Sequence, residues 1–120
     1  GDVVELFICT SGDRRKYYEI EVAPNGTIFF AKIFNENGLH TEYLDRAFDS
    51  KVVLTDGGYR VEIRIPDKAI CLNQNGETVF NAYRIETEGG TPDKNLLALS
   101  PTFCGSFHMP QFFIPLDMNA

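Results

Sequence analysis

Tyr59-Arg60-Val61-Glu62-Ile63-Arg64-Ile65-Pro66 alternates strictly, with Tyr59, Val61, Ile63 and Ile65 on one side and Arg60, Glu62 and Arg64 on the other. A period of two sends alternate side chains to opposite faces of an extended chain, so this segment predicts a half-buried β-strand. Pro66 ends it, because proline has no N–H to give a sheet ladder. Segments of the same character flank it. Val4-Glu5-Leu6-Phe7-Ile8 and Tyr18-Glu19-Ile20-Glu21-Val22-Ala23-Pro24-Asn25-Gly26-Thr27 lie upstream. Phe80-Asn81-Ala82-Tyr83-Arg84-Ile85, Leu99-Ser100-Pro101-Thr102 and Phe107-His108-Met109-Pro110 lie downstream.

Strands are expected at roughly 3–9, 16–23, 27–34, 51–55, 59–65, 78–86, 96–99 and 111–116. Turn signals separate them: Ser11-Gly12-Asp13, Pro24-Asn25-Gly26, Asn35-Glu36-Asn37-Gly38, Asp56-Gly57-Gly58, Asn73-Gln74-Asn75-Gly76 and Glu88-Gly89-Gly90. Short strands joined by Gly- and Asn-rich turns predict an all-β chain folded as an antiparallel β-sandwich. Pro66-Asp67-Lys68-Ala69-Ile70 is the one expected helical turn, and Gly38-Leu39-His40-Thr41 reads as loop. Asn25-Gly26-Thr27 fits a glycosylation acceptor, but its stronger meaning is a tight hairpin turn.

The chain has 120 residues, 43% of them hydrophobic and 12% aromatic, enough for one packed domain spanning 1–120. Ten Phe and five Tyr with no Trp favour strands. A net charge of −6 argues against nucleic acid, whose phosphates require clustered Lys and Arg. The basic run Arg14-Arg15-Lys16 sits at a turn and reads as a solvated loop. No apolar run approaches the ~20 residues that cross a bilayer. Cys9, Cys71 and Cys104 are an odd number, so at most one disulfide can form, and none has the short spacing of a zinc or redox site. They read mainly as buried free thiols.

The ordered series of strands resembles the family 9 carbohydrate-binding modules and their relatives in the DOMON-like superfamily. Those domains carry a "VE-x-F-I" strand, a "Y-x-x-I/F-x-V-x-P-x-G" hairpin, an "E-I-x-I-P" strand, an "F-N-x-x-R" strand and a closing Ser-Pro…F-H-x-P-x-x-F segment. The match runs from about Val3 to Phe113. It covers the later part of the family domain, and the opening strands are not recognisable, so the domain is expected to be truncated on its N-terminal side.

The resemblance implies a DOMON-like, immunoglobulin-like sandwich that binds an oligo- or polysaccharide without catalysis. It further implies a module of a secreted glycan-degrading protein, at an extracellular, periplasmic or cell-surface location. Glu5 stands where the family places a carboxylate near the sugar, and Arg84 on the "F-N-x-x-R" strand offers a fork for hydroxyls. Leu99 and Ser100 occupy the closing motif, with Leu99 where an aromatic clamp residue belongs. The alternative is a degenerate structural or interaction domain without a sugar site. Structural readings stand beside these: Glu5 as a paired buried charge, Arg84 in a salt bridge to Glu5 or Glu62, Asn81 bonding to backbone. His108 is expected to tie down the closing loop. The family implies a structural calcium ion, for which no ordered ligand motif is visible. Haem ligation by His108 and Met109 fails on geometry, since adjacent residues of an extended segment point apart.

No hydrolase dyad, P-loop, dinucleotide fingerprint or zinc-protease helix is present, which argues against an enzyme. Val3–Cys9 is nearly continuous in apolar residues, as a strand covered on both faces is. Nothing precedes it in the sequence, so it is expected to stand as a bare edge. Such an edge recruits a second copy of the chain, a swapped segment or a missing N-terminal piece.

Overall fold

The computed structural model describes residues 2–71, 77–87 and 94–117, apart from the Lys94 side chain. The expected turns at Asn73–Gly76 and Glu88–Gly90 lie outside the described residues, as does Met118. Nine strands follow in order: β1 Val3–Cys9, β2 Lys16–Val22, β3 Ile28–Asn35, β4 Leu39–Tyr43, β5 Asp49–Thr55, β6 Gly58–Arg64, β7 Val79–Thr87, β8 Lys94–Ala98 and β9 Ile114–Pro115. Short 3-10 turns occupy Asp67–Ala69 and Pro110–Phe112. The chain is therefore all-β, and every strand pairing is antiparallel.

The main sheet runs β4-β3-β2-β1-β7-β8, with β9 adding to the free stretch of β7. Its first four strands are a meander. Their turns follow from residues that accept positive φ: Gly26 stands at +88° in the β2–β3 hairpin, and Gly38 at +106° before β4. The β5–β6 hairpin forms the second, smaller layer. Val52, Val61, Ile63 and Ile65 pack from it onto Ile8, Tyr18, Ile20, Val22 and Phe30. The opposite face of the main sheet carries Phe7, Cys9, Tyr17, Ala31, Ile33, Val79 and Tyr83, and the closing segment after β8 covers it with Phe107 and Phe113. Burying each such Phe or Ile contributes about 1.5–3 kcal/mol, so both covers are firmly held.

This double cover explains why β1 is rich in apolar residues at both parities. It also corrects the expectation of a bare first strand. β1 pairs β2 from Val4↔Val22 to Ile8↔Tyr18, and β7 from Val3↔Ile85 to Cys9↔Val79. It is the centre of the sheet, and its backbone groups need no second chain or missing segment. The crossover that carries the chain past the β5–β6 hairpin to β7 supplies the neighbour.

Two further differences have local causes. β4, Leu-His-Thr-Glu-Tyr, lies at the edge with four of its five residues exposed, so it lacks the apolar alternation that marks a strand. The expected strand at 111–116 is a 3-10 turn followed by two strand residues, because Pro110 and Pro115 restrict the donors a ladder needs. Cys9 is buried, whereas Cys71 and Cys104 are exposed, and all three are free thiols.

Candidate functional site

The sheet presents two different chemistries on its two faces at the level of β1 and β7. On the hairpin face, Val4, Ala82, Arg84, Leu97 and Leu99 line an open cleft of about 380 Å³. Period-two alternation puts Val4, Ala82 and Arg84 on this side, where Val4 and Arg84 are register partners. The Arg84 guanidinium lies over the Tyr59 ring, 4.2 Å from its centre. Arg84 Nε sits 2.9 Å from Glu86 Oε1, an ion contact whose alignment leaves the buried Nε without a hydrogen bond. The Tyr59 hydroxyl is likewise buried and unbonded among the described residues. Leu99, 60% exposed, forms the open wall.

On the closing face stands a cluster of carboxylates. Glu5 of β1 is directly opposite Glu21 of β2, and Glu19 follows Glu21 on the same face two residues away. One oxygen from each of the three lies within 4.8 Å of the others. Glu5 is 8% exposed and Glu19 is 7% exposed. Burial, followed by the shared contact with Glu21, holds both carboxyls far above the ordinary carboxylate range, Glu5 at about 9 and Glu19 at about 8.

His108 caps this cluster from the closing segment. Its Nε2 is 3.5 Å from Glu19 Oε1, and its Nδ1 meets the Tyr17 hydroxyl at 2.7 Å. Asn35 Nδ2 donates both to the Tyr17 hydroxyl, at 3.3 Å, and to the His108 carbonyl, at 3.2 Å. The imidazole packs on Phe7 with ring centres 4.8 Å apart. Its burial lowers its pKa, so at neutral pH the ring is uncharged and offers Glu19 a polar contact rather than an ion pair.

The structure therefore separates residues that the sequence suggests belong together. Arg84 and Leu99 meet in the cleft, while Glu5 lies across the sheet from them. The main chain of Ser100 is engaged by Asn81, whose side chain donates to Ser100 O at 2.8 Å and accepts from Ser100 N at 2.9 Å. Asn81 is fully buried and also accepts from Ala82 N, which bears out its backbone-bonding role. The expected Arg84 salt bridge to Glu5 or Glu62 is replaced by Glu86, because Glu5 faces away and Glu62 contacts Arg60 at 3.6 Å. Tyr59, Glu19 and Glu21 escaped the sequence reading. A signal for the two acids was present: Glu19 and Glu21 alternate with Tyr18, Ile20 and Val22, so the two carboxylates share one face of their strand.

The chain matches no known family model, no curated protein and no solved structure.

Proposed function

We propose that the chain is a non-catalytic carbohydrate-binding domain, related to the family 9 modules, whose sugar site is the cleft around Arg84. The observation that carries this reading is the fork of Arg84 lying over the Tyr59 ring at the wall of an apolar cleft. The guanidinium stands beside the C–H-compatible surface of Val4, Ala82, Leu97 and Leu99. A hydroxyl-rich ring asks for this combination of apolar contact and fixed polar groups. Glu86 already neutralises Arg84, which favours an uncharged sugar over an anion. On this reading the domain tethers a glycan-degrading protein to its polysaccharide outside the cell.

One observation favours the second reading, a structural or interaction domain without a sugar site. Among the described residues no aromatic ring is presented to the cleft: Tyr83 reaches its rim, but its ring stacks on Phe107 across the sheet at 4.2 Å. Titration calorimetry against neutral cello- and xylo-oligosaccharides separates the two. Weak, saturable heat that Arg84→Ala reduces at least about tenfold supports sugar binding, since a charge-assisted hydrogen bond contributes roughly 1.5–3 kcal/mol. No heat with any oligosaccharide of the panel supports the structural reading.

A further inference from the structure

The closing segment carries an aromatic pair that the packing of the sheet does not use. Phe103 is 85% exposed, the barest large apolar side chain among the described residues. Its ring leans edge-to-face on the half-buried Phe112, with centres 5.6 Å apart and planes at 64°. Phe103 also stands at φ +60°, a left-handed conformation that a bulky residue rarely adopts. A bare ring on a strained backbone does little for the free protein, and strained positions concentrate where a ligand uses them. The frame that presents the pair is braced. Thr102 is buried and donates to Cys104 O at 3.3 Å, and Ser106 Oγ accepts from His108 N at 3.2 Å. Phe112 sits in a 3-10 turn closed by its own N–H to Met109 O at 3.0 Å, while Arg14 donates to the carbonyls of Pro110 and Phe113. Rings held this way lose little freedom when a ligand arrives.

Charge indicates what the pair can meet. Residues 99–116 include no Asp, Glu, Lys or Arg, in a chain that is 23% charged. Exposed Ser106 and Gln111 add a hydroxyl and an amide within the same stretch. A neutral aromatic surface accompanied by such groups matches the apolar C–H face and the hydroxyls of an uncharged sugar ring. It offers no cation to an anionic bilayer or polyanion, and the net charge of −6 works against both, as it does against a second copy of the chain. We infer that Phe103, backed by Phe112, is a stacking platform for a neutral polysaccharide chain. It is separate from the cleft around Arg84, which neither ring lines. The ligand class rests on the carbohydrate reading above, but the platform does not depend on the cleft. One stacked ring holds weakly, so the many repeats of a long polymer are what make its contribution measurable.

Affinity electrophoresis of the whole chain through gels of neutral hydroxyethyl cellulose and glucomannan tests this. The unaltered protein is expected to be retarded, and Phe103→Ala to weaken that retention about fivefold or more. The same substitution is expected to leave the calorimetric heat of short oligosaccharides at the Arg84 cleft unchanged. Phe103→Gly, which suits the left-handed backbone, is expected to lose the same retention with Tm unchanged or raised, so that lost binding is read on a folded protein. Retention that needs Phe103 while no oligosaccharide gives heat upholds the platform and removes the cleft. An unaltered protein that neither polymer retards overturns the platform, as does equal retention of Phe103→Ala. A Tm lowered by more than about 4 °C in Phe103→Gly makes the ring part of the packing and overturns it too. Binding to phosphatidylcholine vesicles that Phe103→Ala abolishes, without retention by either polymer, assigns the ring to a lipid surface and has the same consequence.

Discussion

The protein is expected to lose stability as pH rises from 7 to 9, and Glu5→Gln is expected to flatten that loss. Folding lifts Glu5 to about 9 and Glu19 to about 8 from an ordinary value of 4.5, first through burial and then through the contact with Glu21. Between the unfolded and folded values the native state binds more protons than the unfolded chain. The stabilisation is therefore fully present below about pH 4.5 and lost as pH climbs through the folded values. One retained proton corresponds to about 1.4 kcal/mol per pH unit, so a single site titrating late across this window costs up to about 2.7 kcal/mol. Partial hydration at Glu21 reduces this, and a loss of roughly 1–3 kcal/mol is expected, a substantial share of the 5–15 kcal/mol typical of a domain.

His108 does not confuse the sign. Its pKa is lowered by burial, so its effect appears only as pH falls below the ordinary imidazole value, outside the chosen window. The assay is urea unfolding followed by circular dichroism at pH 7, 8 and 9. Glu5→Gln keeps the shape of a protonated carboxyl but carries no titrating proton. It is expected to match the native protein at pH 7 within about 1 kcal/mol and to exceed it at pH 9. Stability that is flat or rising from pH 7 to 9 in the native sequence refutes the reasoning, because three crowded carboxyls cannot all ionise without cost.

Two further expectations concern the hold of the closing segment. Asn81→Ala removes the side chain that satisfies Ala82 N and both backbone groups of Ser100, so chemical denaturation is expected to show a loss of about 2–4 kcal/mol, with faster proteolysis around Cys104. Tyr17→Phe deletes the hydroxyl between Asn35 and His108 while keeping the ring packed on Phe7 and Phe113; thermal unfolding is expected to report a loss of about 1–2 kcal/mol.

What the sequence discloses about this fold is what depends on neighbouring residues. β6 reads from its alternation because half of it is wet and half is packed, and the burial pattern follows the pattern of residue types position by position. The β2–β3 hairpin reads from Asn25-Gly26, because glycine accepts the positive φ the turn takes. The double cover of β1 reads from its composition. The identity of its neighbour does not, since β7 lies far along the chain and no local signal names a partner. Register is equally silent. Glu5 pairs with Tyr83 and Val4 with Arg84, and a slip of one residue would have put Glu5 and Arg84 on the same face. That single parity decides whether the family-like acid and the family-like arginine share a site, and here they do not.

The separation has a physical logic that follows from what covers each face. The hairpin face is covered by two short strands that stop before β8, so Arg84 keeps an opening and its charge stays hydrated, paired with Glu86 and stacked on Tyr59. The closing face is covered by a segment that crosses Phe7, Tyr17 and Tyr83, and before it pairs with β7 as β9 it is pinned at several points by side chains. Asn81 holds its start at Ser100, Tyr83 donates to Phe107 O at 3.1 Å, and Arg14 donates to the carbonyls of Pro110 and Phe113 at 3.0 and 2.8 Å. An acid placed under such a cover loses most of its water, which is why Glu5 and Glu19, crowded against Glu21, are raised in pKa while the arginine opposite keeps part of its surface exposed. The charge state of the glutamates must then couple to the docking of the segment, because His108 belongs to the segment and touches Glu19. Protonating the cluster favours the closed arrangement; ionising it without a counter-charge works against the same contacts that Asn81, Tyr83 and Arg14 make.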